Sequence, residues 1–134
     1  MKKILAALAV TCFATPTALA VDGGDPAAGE ANYRQCVACH QVGETAVNTV
    51  GPQLNGIIGR TAASAEGYAY GPALAAKAED VGEWDVDELM EYLIDPASYI
   101  GGVSKMPMRY PDEQFRLDVL AYLAQFNADG TAAE

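Results

Sequence analysis

The chain has little of the residues on which most site chemistry rests. Its 134 residues include one histidine, three cysteines, and eight lysines and arginines against eighteen aspartates and glutamates, a formal net charge of −10. So strong an excess of carboxylates argues against nucleic acid or an anionic membrane as a partner. The apolar stretch from Ile4 to Phe13 is too short to cross a bilayer, which takes roughly 20 apolar residues. No internal repeat or low-complexity segment occurs, and signals for β-strands are weak. With a single imidazole there is no distal histidine of the kind a peroxidase needs, and that imidazole with the two cysteines beyond residue 20 is too few ligands for an ordinary four-ligand zinc site.

What is present begins with a leader. Met1-Lys2-Lys3 is a short basic start, the apolar stretch follows, and Ala18-Leu19-Ala20 is a small-x-small cleavage signal. This layout predicts a signal peptide over residues 1–20, an exported domain over 21–134, and a periplasmic location without stable membrane insertion. Removal of the leader takes Lys2, Lys3 and Cys12 with it and leaves Cys36 and Cys39. A disulfide between cysteines so close in sequence would close only a short loop and contribute little entropy.

The remaining patterns are helical. Asp25 with Pro26 predicts a helix carrying Tyr33 toward Cys36. Pro72 predicts a short helix through Ala78. Asp85 and Glu88 form a capping-box-like pair ahead of Leu89, Met90, Tyr92 and Leu93, in a helix that must stop near Asp95 because Pro96 follows. Pro111 and Asp112 open a last helix with Phe115, Val119, Tyr122, Leu123 and Phe126 on its apolar face and Glu113, Arg116 and Gln125 on the other. The tail from Asp129 to Glu134 is expected to fray. Between Gln41 and Gly71 lies a long glycine-rich stretch without periodicity, which a compact domain tolerates when it wraps a ligand. The fold class is all-α.

The segment Cys36-Val37-Ala38-Cys39-His40 concentrates the two retained cysteines and the only histidine. Two cysteines two residues apart, followed by histidine, is the attachment motif of c-type haem. The thiols add to the two vinyl groups of one porphyrin, and the histidine stands over the iron as an axial ligand. A dithiol of thioredoxin type would require a βαβ context that is missing. A second axial ligand must come from a methionine sulfur: Met90, Met106 or Met108. Such a soft, neutral donor favours ferrous iron.

Beyond that motif, the chain resembles the class I cytochromes c, particularly the mitochondrial cytochrome c and bacterial cytochrome c2 branch. The resemblance runs through "GEANYRQCVACH", "GPQLNGIIGR", "GYAY", "LMEYLIDPASYI", "SKM" and "DVLAYLAQF", in the family's order. It departs by extra residues between Tyr70 and Trp84, one near Gly101-Gly102, and a shortened segment after the methionine. The resemblance implies a cytochrome c fold of a few helices around one covalent haem c. It implies that Cys36 and Cys39 hold the haem and that His40 and Met106 bind its iron. It further implies that the Pro52 carbonyl accepts a hydrogen bond from His40 and that Tyr92 sits near the methionine sulfur. Arg60, Tyr70, Trp84 and Ser104 are implied as contacts of a buried propionate. Gly29 and Tyr33 would cross Val119 and Tyr122 where the first and last helices meet.

The function implied is that of a soluble exported electron carrier, a monomer and not an enzyme. It would pass single electrons between redox protein partners, membrane complexes or dehydrogenases on one side and oxidases on the other. Lys105 and Arg109 flank the methionine loop as a small basic rim, and the run from Glu79 to Glu91 reads as a solvated acidic face. Docking is expected to rely on apolar contact around Pro107 and Met108 together with that local charge.

Overall fold

A computed structural model describes residues 19–133. The leader therefore lies almost wholly outside the described residues, as does Cys12. Asp25 caps the first helix: its carboxylate accepts from the amides of Ala27 (2.9 Å) and Ala28 (3.4 Å), satisfying donors the first turn leaves open. Helix α1 spans Pro26–Tyr33 and gives way to turns before Cys36. Helix α2 spans Pro72–Val81, one turn longer than expected. Helix α3 spans Val86–Ile94, capped by Asp85, whose carboxylate accepts from the Glu88 amide at 2.8 Å. Glu88 does not return that bond; its carboxylate meets the Tyr99 hydroxyl instead.

Pro96 stops α3 as expected and then opens a further helix. Helix α4, Pro96–Ile100, is capped by the Asp95 carboxylate and ends at Gly101 in the left-handed conformation. The rule that a proline ends a helix hid the second rule, that it suits the first turn of the next one. Helix α5 spans Glu113–Leu123 behind the cap Asp112. No strand occurs among the described residues, only the isolated bridges Thr61 to Glu83 and Phe126 to Ala132.

Helices α1 and α5 cross in close contact. Gly29 makes this possible, since a side chain there would overlap the Asp118 carbonyl. Tyr33 and Tyr122 pack beside it with ring centroids 5.3 Å apart. The Asp118 carboxylate is buried and accepts from the Asp25 amide at 2.9 Å and from Gln114 at 2.8 Å, tying the start of α1 to α5. Leu120, fully enclosed, joins this crossing to a core that includes Ile57, Trp84, Leu89 and Leu123.

Three expectations for the C-terminal part are corrected. Arg116 is not on an outward face; it is 6% exposed, and its guanidinium donates to the Tyr110 carbonyl at 2.6 Å. Phe126 falls beyond α5, where its amide bonds the Leu123 carbonyl in a closing turn. The tail through Ala133 is folded rather than frayed, and Glu134 lies outside the described residues. Residues 125–133 fold back as a hairpin, with Asn127 N–H to the Thr131 carbonyl (2.9 Å) and Ala133 N–H to the Gln125 carbonyl (2.7 Å). Asp129 stabilises its turn by accepting from both the amide and the hydroxyl of Thr131.

Candidate functional site

The helices and the long 41–71 loop enclose one apolar cavity of about 360 Å³. Its size and lining suit an organic cofactor held by a few polar groups. Cys36, Cys39 and His40 reach it from the turns that follow α1. Pro52, Arg60 and Tyr70 come from the long loop, and Trp84 and Tyr92 from the α2–α3 region. Ser104, Met106 and Met108 approach from the segment between α4 and α5. All ten residues that the sequence resemblance assigns to the cofactor therefore line one space. Met90 does not; it packs against the core, which removes it as an axial candidate.

His40 is fixed by its neighbours. Its Nδ1 lies 2.8 Å from the Pro52 carbonyl oxygen. That carbonyl can only accept, so Nδ1 carries the proton and Nε2 keeps its lone pair for a ligand. Burial holds the imidazole below its ordinary pKa, against the opposing hydrogen bond to Pro52, and the Arg60 charge pushes the same way as burial. The neutral form, the one that binds a metal, is favoured. Gly51 packs flat on this ring: a side-chain carbon there would stand 2.7 Å from Nδ1. Sequence reasoning passed over Gly51, though a glycine directly before the histidine's proline acceptor was the available signal.

The two cysteines are half-buried thiols. Burial raises Cys36, partly offset by a hydrogen bond from Tyr110. Tyr110 is itself pushed up to about 12, chiefly by burial. It too was missed in the sequence. It stands beside the cysteine and stacks on Phe115, with ring centroids 4.8 Å apart.

On another wall, Arg60 donates through Nη1 to the carbonyls of Gln53 (2.9 Å) and Asn55 (3.2 Å). Its Nε is buried with no partner among the described residues. Burial lowers the guanidinium's pKa. A half-buried cation whose Nε is enclosed without a partner is well suited to an anionic acceptor. Tyr70 is similar, since its hydroxyl accepts from the Ala65 amide at 3.0 Å and retains a proton to give. These unsatisfied donors fit a carboxylate-bearing cofactor such as haem, and the thiols and imidazole of the same cavity fit its attachment.

The methionine loop is held at several points. The Ser104 hydroxyl accepts from the Met106 amide at 3.1 Å. Burial raises the pKa of the Tyr92 hydroxyl, and Ser104 opposes that shift. Lys105 reaches across to the Ala69 carbonyl at 2.6 Å. Arg109 pairs with Asp95 at 3.1 Å. Ser104 thus serves the loop's own backbone as well as the cavity.

No protein-family model matches the chain. Individual relatives do. Cytochrome c-554 of Methylosinus trichosporium is 44% identical over 132 residues, covering 97% of this chain and 98% of that one. Cytochrome c2 iso-2 of Rhodospirillum centenum is 40% identical over 119 residues, covering 79% and 98%. Among solved structures, a cytochrome c2 from Rhodospirillum centenum superposes with a TM-score of 0.74 at 41% identity, covering 78% of this chain and 99% of that one. Ferricytochrome c2 of Rhodopseudomonas palustris gives 0.70 at 36% identity, covering 76% and 98%. With relatives this similar over nearly their whole length, and one cavity carrying the cysteine pair and histidine, the chain belongs to the class I c-type cytochromes, electron-transfer proteins rather than enzymes, each with one covalently attached haem c.

Proposed function

We propose that this protein is an exported, periplasmic one-electron carrier whose haem is bonded through Cys36 and Cys39 and ligated by His40 and Met106. The observation that carries this reading is the His40 ring, fixed through Nδ1 with Nε2 left for a metal, in the same cavity as both thiols and Met106. When bound, haem supplies a ferric–ferrous couple that changes charge by one electron.

The chain's own residues make that change inexpensive. Pro52 fixes the tautomer of His40 and strengthens it as a donor. Arg60 and Tyr70 hold donors toward a propionate, while Trp84 and Leu120 keep water from the interior. Ser104 and Tyr92 fix the backbone and surroundings of Met106. Met108 is the second reading for the sulfur, because it lines the same cavity, although it is 46% exposed. Optical spectra of the matured protein with each methionine changed to Ala separate the two. Met106→Ala should abolish the sulfur-to-iron charge-transfer band of the ferric form and Met108→Ala should preserve it; the opposite pattern would reassign the ligand.

Partners are redox proteins that reach the cavity's edge, and the protein works as a monomer. Val50 (68% exposed), Val103 (87% exposed), Pro107 and Met108 line the cavity and remain open to solvent, and Val37, between the two cysteines, is 56% exposed. An apolar rim of this kind marks a contact surface. Few cations flank it. Arg60 and Arg116 are turned inward, Lys77 pairs with Asp80, Arg109 pairs with Asp95, and Lys105 is tied to Ala69. Of the expected basic rim, Arg109 is paired with a carboxylate and Lys105 is tethered but still charged, so apolar contact makes up the larger part of the docking surface.

A further inference from the structure

The C-terminal hairpin lies against the back of the loop that orients His40 and Arg60. The Gly56 amide donates to the Phe126 carbonyl at 3.0 Å, and a side-chain carbon at Gly56 would stand 2.9 Å from the Ala128 Cα. Gly130 is buried at φ +83°, a conformation that favours glycine. A side-chain carbon there would overlap the Gly43 carbonyl and stand 2.7 Å from the Asn55 amide nitrogen.

Asn55 is the pivot of this contact. Its buried side chain accepts from the Gly43 amide (2.8 Å) and donates to the Gly43 carbonyl (2.9 Å), clasping the two ends of the loop together. Its backbone carbonyl accepts from Arg60, and between the clasped ends lies Pro52, the acceptor for His40. The hairpin therefore presses on a closed hydrogen-bonded loop whose inner carbonyls orient both the His40 imidazole and the half-buried Arg60 guanidinium.

We propose that residues 125–133 act as a positioning clamp, seated through Gly130 and Gly56, that holds the 43–56 loop in the register needed by the His40–Pro52 and Arg60–Asn55 bonds. The proposal rests on His40 and Arg60 serving the haem. It assigns the hairpin no contact with the cofactor itself.

Amide hydrogen exchange on the matured holoprotein tests it. Gly130→Val should speed exchange at Gly43 and Leu54, and at the His40 Nδ1 proton, by at least about tenfold, while amides of the α1–α5 crossing keep their rates, because the loop opens as a local unit. If Gly130→Val does not mature, the double variant Asp129→Ala, Thr131→Ala loosens the hairpin turn without touching Gly43 and should give the same pattern more weakly. Unchanged loop exchange while the hairpin amides lose protection would overturn the clamp. So would acceleration shared equally by α1 and α5, which would mean general destabilisation. If His40 were not a ligand, the wild-type Nδ1 proton would lack the displaced resonance expected beside a haem; the loop amides would still report on the clamp, so the two failures are distinguishable.

Discussion

At the scale of single residues, the site depends as much on the side chain that Gly51 lacks as on the groups that do chemistry. His40 could be singled out at once, because it is the only histidine and follows two cysteines. Gly51 could not, because its role is to leave space for the imidazole ring. Gly51→Ala should push that ring away from Pro52 and lower stability by about 1–3 kcal/mol, the usual cost of forcing an extra carbon into packed space. Guanidinium unfolding of the holoprotein would read the loss, and a displaced His40 Nδ1 proton resonance would locate it. An unchanged resonance would show that the ring has room the structure denies it. Arg116 makes the complementary point. Its spacing put it on a polar face, yet its guanidinium is drawn inward by the Tyr110 carbonyl. One-dimensional periodicity cannot register a long side chain that reaches a carbonyl outside its own helix.

At the scale of elements, capping chemistry made most of the helices legible. Asp25, Asp85 and Asp112 each cap the helix that the sequence placed after them. Helix α4 was missed because it is only five residues long, too short for a hydrophobic period to appear. The tail was misread because its order comes from Gly130 settling on Gly43, a contact between distant parts of the chain. The α1–α5 crossing was legible through the family resemblance, which set Gly29 and Tyr33 against Val119 and Tyr122. Gly29→Val should separate these two helices and cost on the order of 3 kcal/mol, as overpacking against backbone does. Thermal unfolding would show it as a lowered midpoint with the haem still attached. An unaltered midpoint would mean that the crossing tolerates a wider spacing.

At the scale of the whole molecule, composition and site play different parts. The carboxylate excess, a net charge of −10 over the full sequence and more negative once Lys2 and Lys3 leave with the leader, sets the field around the protein, while in the proposed docking mode the apolar rim supplies the contact. Electron transfer to a protein partner should therefore vary little with ionic strength when that partner's contact surface is uncharged. Stopped-flow rates across a salt series would show a nearly flat profile; a steep fall toward an acidic partner would restore the lysines and arginines to the leading role. The proposed electron-carrying role requires both thiols of the Cys36–Cys39 pair to be bonded to one haem. The most direct test is the intact mass of the matured protein under denaturing conditions, beside a Cys36→Ser, Cys39→Ser variant. The account predicts wild-type protein heavier than its polypeptide by one haem and the variant at bare polypeptide mass; a wild-type mass equal to the bare polypeptide would contradict it.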